Sequence, residues 1–253
     1  MNNIQKNLDS LYDSYLDSIL GNADIVEGIS SSKYSSPLFI SLDVKNGYIK
    51  DKKYKMLYVG QQTNGWFDKK DWNGLNINNH KDYREALKTL YYEFNFGDRL
   101  YGKKYSGYLW QFQQLLTAKI NDENQNNCGI IWSNLVRLDE NLNKINENDM
   151  LEKIAINNNE ILRKEIEIIQ PDIVVFVTGY SYDWLLKKTF NDIQFHQSDN
   201  GNLNINKLAI LQSEFLPKYS FRTYHPRALY QNRYLRSSRN IIIETIAEEV
   251  KLS

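Results

Sequence analysis

The sequence predicts an α/β fold, a three-layer αβα sandwich around a central, mainly parallel sheet of four to five strands. Three observations predict it. Apolar runs within 55–59, 129–137 and 172–178 read as strands buried on both faces, amphipathic helical periods separate them, and each run ends in polar or glycine-containing residues. In open sheets of this kind chemistry sits at the carboxyl ends of the strands.

Ile4, Leu8, Leu11, Tyr12, Tyr15, Leu16 and Ile19 recur at helical spacing, and Gly21 supplies a stop, so the first element is an amphipathic helix over 4–20. Its tyrosines pack a core. Ser30 to Ser36 is a loop, after which Pro37–Leu42 reads as a short strand or the wall of a pocket. The first buried strand then runs through Lys55-Met56-Leu57-Tyr58-Val59 into the polar loop Gly60-Gln61-Gln62-Thr63-Asn64-Gly65-Trp66. A long polar segment from Phe67 to His80 follows, of the kind that compact domains keep for function.

Helices are expected over 82–94 and 108–120, the second with Leu109, Phe112, Leu115, Leu116 and Ile120 on one side. The second strand, 129–137, ends in Ser133-Asn134-Leu135-Val136-Arg137. A helix over 150–169 stops at Gln170-Pro171, because proline disfavours helical geometry in the residue before it. The third strand runs into Gly179-Tyr180-Ser181, which opens a further helix through Leu186. Strands at 207–211 and 221–224 follow, the latter leading into His225-Pro226-Arg227, and a last helix spans 237–250. No repeat or linker divides the chain, so 1–253 is expected to be one domain with an N-terminal helical extension over about 1–36.

Composition narrows the function classes. With 42% hydrophobic, 13% aromatic and 25% charged residues, the chain reads as an ordinary globular protein. The 31 basic residues balance 31 acidic ones, so a polyanion must be met by a local patch rather than by the field of the whole molecule. One such patch is visible. Arg222, Arg227, Arg233, Arg236 and Arg239 share a stretch without a single Asp or Glu, interleaved with Tyr224, Tyr230 and Tyr234. The lone Cys128 cannot form an internal disulfide and reads as an inert thiol. With three histidines no metal-ligand spacing occurs, and His80 and His196 stand in no constellation. No apolar run spans a bilayer and no secretion signal is recognisable, so a cytoplasmic location is expected.

Three polar strand ends, Gly60-Gln61-Gln62-Thr63-Asn64-Gly65, Ser133-Asn134-Leu135-Val136-Arg137 and Tyr224-His225-Pro226, together with the helix-strand run Leu162–Val175 and Gly179, resemble the uracil-DNA glycosylase superfamily in content and order. The resemblance covers roughly 57–229. It implies a sheet with the superfamily's αβα layers and a site at these ends. By resemblance, Gln62 and Asn64 stand where the attacking water is positioned, and Gly60 and Gln61 frame the substrate beside them. Asn134 matches the residue that reads the polar edge of a flipped pyrimidine, and His225 matches the histidine that bonds the base carbonyl and stabilises the departing anion. Trp66 or Phe67 would stack on the base. Arg222, Arg227 and Arg233 would face the DNA backbone, and Leu229 or Tyr230 would fill the gap in the stack. Simpler readings stand beside these. Asn134 can cap a turn, Asn64-Gly65 can form one, and Trp66 can be core. A histidine before proline at a strand end, by contrast, is an unusual core residue.

The best-known members carry an aspartate where this chain has Gln62, and a neutral amide can neither act as a base nor stabilise a cationic sugar by charge. The expected activity is monofunctional hydrolysis of the N-glycosidic bond of uracil or a modified pyrimidine in DNA, leaving an abasic site. That departure, with the long 67–80 segment, points to a non-standard base, including the hypermodified cytosines of phage DNA, and so to a defence role. No metal or cofactor is required, the expected partner is DNA and not a membrane, and the chain is expected to act as a monomer. Two other classes remain open: a catalytically inert DNA-binding module on the same fold, and a small-molecule nucleoside hydrolase.

Overall fold

The computed structural model describes residues 2–42, 52–63, 66, 77–96, 107–121, 128–140, 160–199 and 203–251. In chain order its elements are α1 (Asn2–Leu20), α2 (Ala23–Ser30), β1 (Tyr54–Gln62), α3 (His80–Phe96), α4 (Tyr108–Ile120), β2 (Cys128–Val136), α5 (Glu160–Ile169), β3 (Ile173–Phe176), a 3-10 turn (Tyr180–Tyr182), α6 (Asp183–Thr189), β4 (Gln194–Gln197), β5 (Leu208–Gln212), β6 (Tyr219–Thr223), α7 (Pro226–Gln231), α8 (Arg233–Arg236) and α9 (Ser238–Lys251).

The chain is an α/β protein with a mostly parallel six-stranded sheet in the order β2-β1-β3-β6-β5-β4, compatible with a three-layer αβα sandwich. β3 pairs parallel with β1 and with β6, and β5 and β4 complete one edge antiparallel. The sheet has one strand more than the upper expectation. The extra strand, β4, is a four-residue edge with Gln194, His196 and Gln197 exposed, so no apolar run announces it.

Two compact units make up the chain, each from three segments: Met1–Leu42, Gln62–Arg99 and Ser133–Ile169 form the first, and Asp43–Gln61, Leu100–Trp132 and Gln170–Ser253 the second. In the first unit α1 lies against α2, α3 and α5. The expected stripe does this: Leu8, Tyr12, Tyr15, Leu16 and Ile19 are buried, and each fully buried side chain of this size contributes about 1.5–3 kcal/mol. Tyr83, Leu87 and Tyr91, one helical turn apart, form the buried face of α3. Pro37–Leu42 is a buried wall rather than a strand. Its backbone donors go to the Arg137 carbonyl from Leu38 (3.2 Å), the Tyr12 hydroxyl from Ile40 (3.0 Å) and Gln5 Oε1 from Leu42 (2.9 Å).

The first unit also encloses a charged network. Arg137 and Glu165 are fully buried and ion-paired, Arg137 donates to Ser133 Oγ at 2.7 Å, and Tyr12 donates its hydroxyl to Glu165 at 2.8 Å. Ser133 and Arg137 come from β2 and the residue after it, Glu165 from α5 and Tyr12 from α1, and the Tyr12 hydroxyl also accepts the Ile40 N–H, so the network ties β2, α5, α1 and the 37–42 wall together. Burial drives the Tyr12 hydroxyl well above its ordinary value, and it stays a donor.

In the second unit Met56–Val59 and Ile173–Val177 are completely buried at the centre of the sheet. Asp172 and Lys55 lock the entry of β3 against β1 by reciprocal bonds, the Asp172 N–H to the Lys55 carbonyl (2.8 Å) and the Lys55 N–H to the Asp172 carboxylate (2.7 Å). Gln170, in front of Pro171, takes a left-handed φ of 49° instead of continuing α5. α4 and α9 pack together. On α4 the buried set is Trp110, Phe112, Gln113, Leu116 and Ile120, whereas Leu115, expected on that face, is 45% exposed.

Candidate functional site

The carboxyl ends of β1, β3 and β6 lie side by side in the second unit, held by bonds beyond the strands themselves. Val177 donates its N–H to the Val59 carbonyl (2.9 Å) and Gly179 donates to the Thr223 carbonyl (2.9 Å). Gly60 is buried within β1. Gln61 follows, half-buried, its Nε2 donating to the Thr178 carbonyl at 2.6 Å, which fixes the amide orientation. Gly179 has φ +79°, a conformation that favours glycine, and a Cβ placed there would lie 3.9 Å from the His225 backbone nitrogen. These ends therefore bring Gln61, Thr178, Gly179 and His225 to one edge of the sheet. Thr178 is fully buried, and its hydroxyl finds no hydrogen-bond partner among the described residues.

His225 is half-buried and serves as the N-cap of α7, with Pro226 at the first helical position. Its Nδ1 accepts the backbone N–H of Arg227 at 3.3 Å. An accepting Nδ1 is unprotonated, so the neutral ring carries its proton on Nε2 and presents a donor there.

In the first unit, Asn134 sits in the carboxyl half of β2 and is 2% exposed. Its Nδ2 makes no hydrogen bond among the described residues, an uncommon state for a buried amide, which costs about 1–3 kcal/mol when left so. Gln62 is the last residue of β1 and is half-buried. Thr63 beyond it is buried and shares a 3.0 Å bond with Ser35. Trp66 is nine-tenths buried, edge-on to Phe94 at 5.4 Å, and its carbonyl accepts the Ser36 N–H at 3.0 Å. Asn64 and Phe67, also expected at the site, lie outside the described residues.

The arginine stretch separates into two kinds of residue. Arg227, Arg233 and Arg236 are exposed on α7 and α8, and none of them pairs with a carboxylate among the described residues. Arg227 bonds Gln231 (3.0 Å), Arg236 bonds the Tyr230 carbonyl (3.1 Å), and Arg233 lies over the Tyr234 ring at 4.6 Å. Arg222 is different. Only 1% exposed, it pairs with Asp183 at 2.8 Å and donates to the Ile205 and Asn206 carbonyls, so it is a core cross-link and not a phosphate contact. Leu229 is likewise corrected: it is fully buried on the inner face of α7 and unavailable as a wedge into DNA. The Tyr230 ring is stacked on Tyr108 at 4.8 Å, and Arg239 lies 4.5 Å from its centroid.

One exposed aromatic, Tyr180, has no role in the sequence reading. Tyr180, after Gly179, meets Tyr224, before His225, edge to face at 5.8 Å. The glycine between a buried strand and an aromatic is the signal that marks it. Elsewhere, Cys128 is buried with its thiol pushed up to about 12 by desolvation, and His80 is paired with Asp17 at 2.8 Å in the first unit. Among the described residues no group of His, Cys, Asp or Glu is arranged to hold a metal ion, and no helix is long and apolar enough to cross a membrane. No protein-family model matches the chain, and no curated protein does.

Proposed function

We propose that the chain is a monofunctional DNA glycosylase that hydrolyses the N-glycosidic bond of uracil or a modified pyrimidine. The observation that carries this reading is the buried Nδ2 of Asn134, which has no hydrogen-bond partner among the described residues. A polar group kept without a partner at a cost to stability is suited to a ligand that supplies one, and the polar edge of a pyrimidine does so.

In the reaction water adds to the sugar C1′ as the bond to the base nitrogen breaks, its electrons leave with the base, and the proton that the water loses ends on the departed base anion. Charge therefore develops on a sugar that becomes oxocarbenium-like and on a base that becomes anionic, and only groups that meet this charge better than the substrate accelerate the step. His225, in its Nε2-protonated form, donates to the base oxygen. The amide of Gln62 or of Asn64 holds the water. Neither amide supplies the charge that a carboxylate would place beneath the sugar, so the site suits a base that leaves readily or one whose modification adds its own contacts. This favours hypermodified cytosine as substrate and a role in defence against phages that carry it. DNA is the partner and one copy of the chain suffices.

Duplexes containing uracil, hydroxymethylcytosine or glucosylated hydroxymethylcytosine test the reading directly. Abasic sites are expected on at least one of them, sensitive to His225→Ala. The neutral Gln62 also favours a second reading, an inert binding module, which predicts salt-sensitive binding to the same duplexes with no abasic sites on any.

A further inference from the structure

A base taken out of a duplex leaves a gap and exposes the neighbouring bases, and the two side chains expected to meet them are already engaged. Leu229 is fully buried, and Tyr230 is already engaged, stacked on Tyr108 and with Arg239 over its ring. Tyr180, which meets the neighbour of His225 in the chain, is more open. Tyr180 is 49% exposed, and its contact with Tyr224 is edge to face, with the ring planes 86° apart.

The backbone holds this pair against the histidine. Tyr180 follows Gly179, whose positive φ turns the chain and whose N–H is bonded to the Thr223 carbonyl, while Tyr224 and His225 continue from Thr223. Tyr224 is half-buried and so braces the more exposed partner. The charge around the pair points to a polyanion. Arg227, two residues beyond His225, is exposed, and no acidic residue occurs from Arg222 to Arg239 in a chain whose total charges balance. An aromatic face near an exposed guanidinium group that pairs with no carboxylate among the described residues matches a nucleobase flanked by phosphates better than it matches an apolar protein surface.

We propose that Tyr180, braced by Tyr224, is the platform on which a base neighbouring the reacting nucleotide stacks. The proposal rests on the glycosylase reading, since it takes His225 to mark the reacting end of the sheet. Stacking uses the ring and not the hydroxyl, so phenylalanine preserves it and alanine removes it.

The test uses the full chain and a duplex carrying a tetrahydrofuran abasic site flanked by 2-aminopurine, with affinity read by anisotropy and stacking by aminopurine emission. Tyr180→Ala is expected to weaken binding about tenfold and to abolish the emission change, while Tyr180→Phe restores both. Thermal unfolding of each variant reports that the exposed substitution leaves the fold intact. If Tyr180→Ala binds and alters emission as the unsubstituted protein does, while that protein still generates abasic sites, the platform is overturned and the glycosylase reading stands. Equal losses in the alanine and phenylalanine variants overturn stacking in favour of a hydroxyl contact. If the unsubstituted protein neither binds this duplex nor excises any base, the reading and the platform fall together.

Discussion

The backbone N–H of Arg227 is donated to Nδ1 of His225 at 3.3 Å, so the histidine assigned to the leaving base is also the N-cap of α7. One ring nitrogen holds the helix, and in the neutral ring the other carries the proton. Substitutions separate the two roles. His225→Ala loses both and is expected to lower turnover about 10²–10³-fold and stability by about 1 kcal/mol. His225→Asn keeps a capping oxygen, so its urea midpoint should stay near that of the original protein while turnover remains lost. Paired denaturation and abasic-site assays check this, and an asparagine variant with normal turnover would remove the histidine from the chemistry.

Arg222 and the α8 arginines answer opposite questions. Removing Arg222 strands the Asp183 carboxylate, and Arg222→Ala is expected to destabilise the second unit by about 3–5 kcal/mol, read in urea. Arg233→Ala and Arg236→Ala together should leave the midpoint unchanged within about 0.5 kcal/mol. They should instead weaken DNA binding on every sequence, with the slope of log affinity against log salt falling by about 1 per lost phosphate contact.

Much of the architecture is legible in the sequence because burial leaves a periodic trace. The α1 stripe, the strand at Met56–Val59 and the stop at Gln170-Pro171 all follow from local pattern. What is not legible depends on partners distant in the chain. Arg222 reads as one more cation in a basic run until Asp183, 39 residues earlier, is seen beside it. Leu229 reads as an exposed apolar residue only if the His-Pro segment is a loop, and Pro226 instead starts a helix that turns Leu229 inward. α2 carried a readable signal: Asn22 caps it, accepting from Asp24 and Ile25, and Ile25 and Ile29 stand one turn apart. Of the candidate site residues, type and order suggested Asn134 and His225, but the lack of a partner for one among the described residues and the tautomer of the other need the folded chain.

Burial of Cys128 makes a prediction about pH. Desolvation pushes its thiol up to about 12, whereas an unfolded cysteine ionises near about 8.5. Between these values the folded chain keeps a proton that the unfolded chain has lost, so this group's contribution to stability falls as pH rises above about 8.5. Cys128→Ala should flatten that part of the stability curve. In the native protein at pH 8 the thiol should resist Ellman's reagent and react only in denaturant; rapid native labelling would contradict its burial.

Asn134 offers a test in which stability and function move apart. Its buried Nδ2 has no partner among the described residues, so the free protein carries an unmet desolvation cost there. Leucine has a similar size and shape without that cost. Asn134→Leu is therefore expected to stabilise the free protein by about 1–3 kcal/mol in urea, while excision falls because the edge of the base finds nothing to bond. Had the amide been kept for the fold alone, the same change would destabilise and activity would decline only with the folded fraction. Measuring the denaturation midpoint and abasic-site formation on the same preparation distinguishes these cases, because a midpoint that rises while turnover drops is the mark of a residue retained for its ligand.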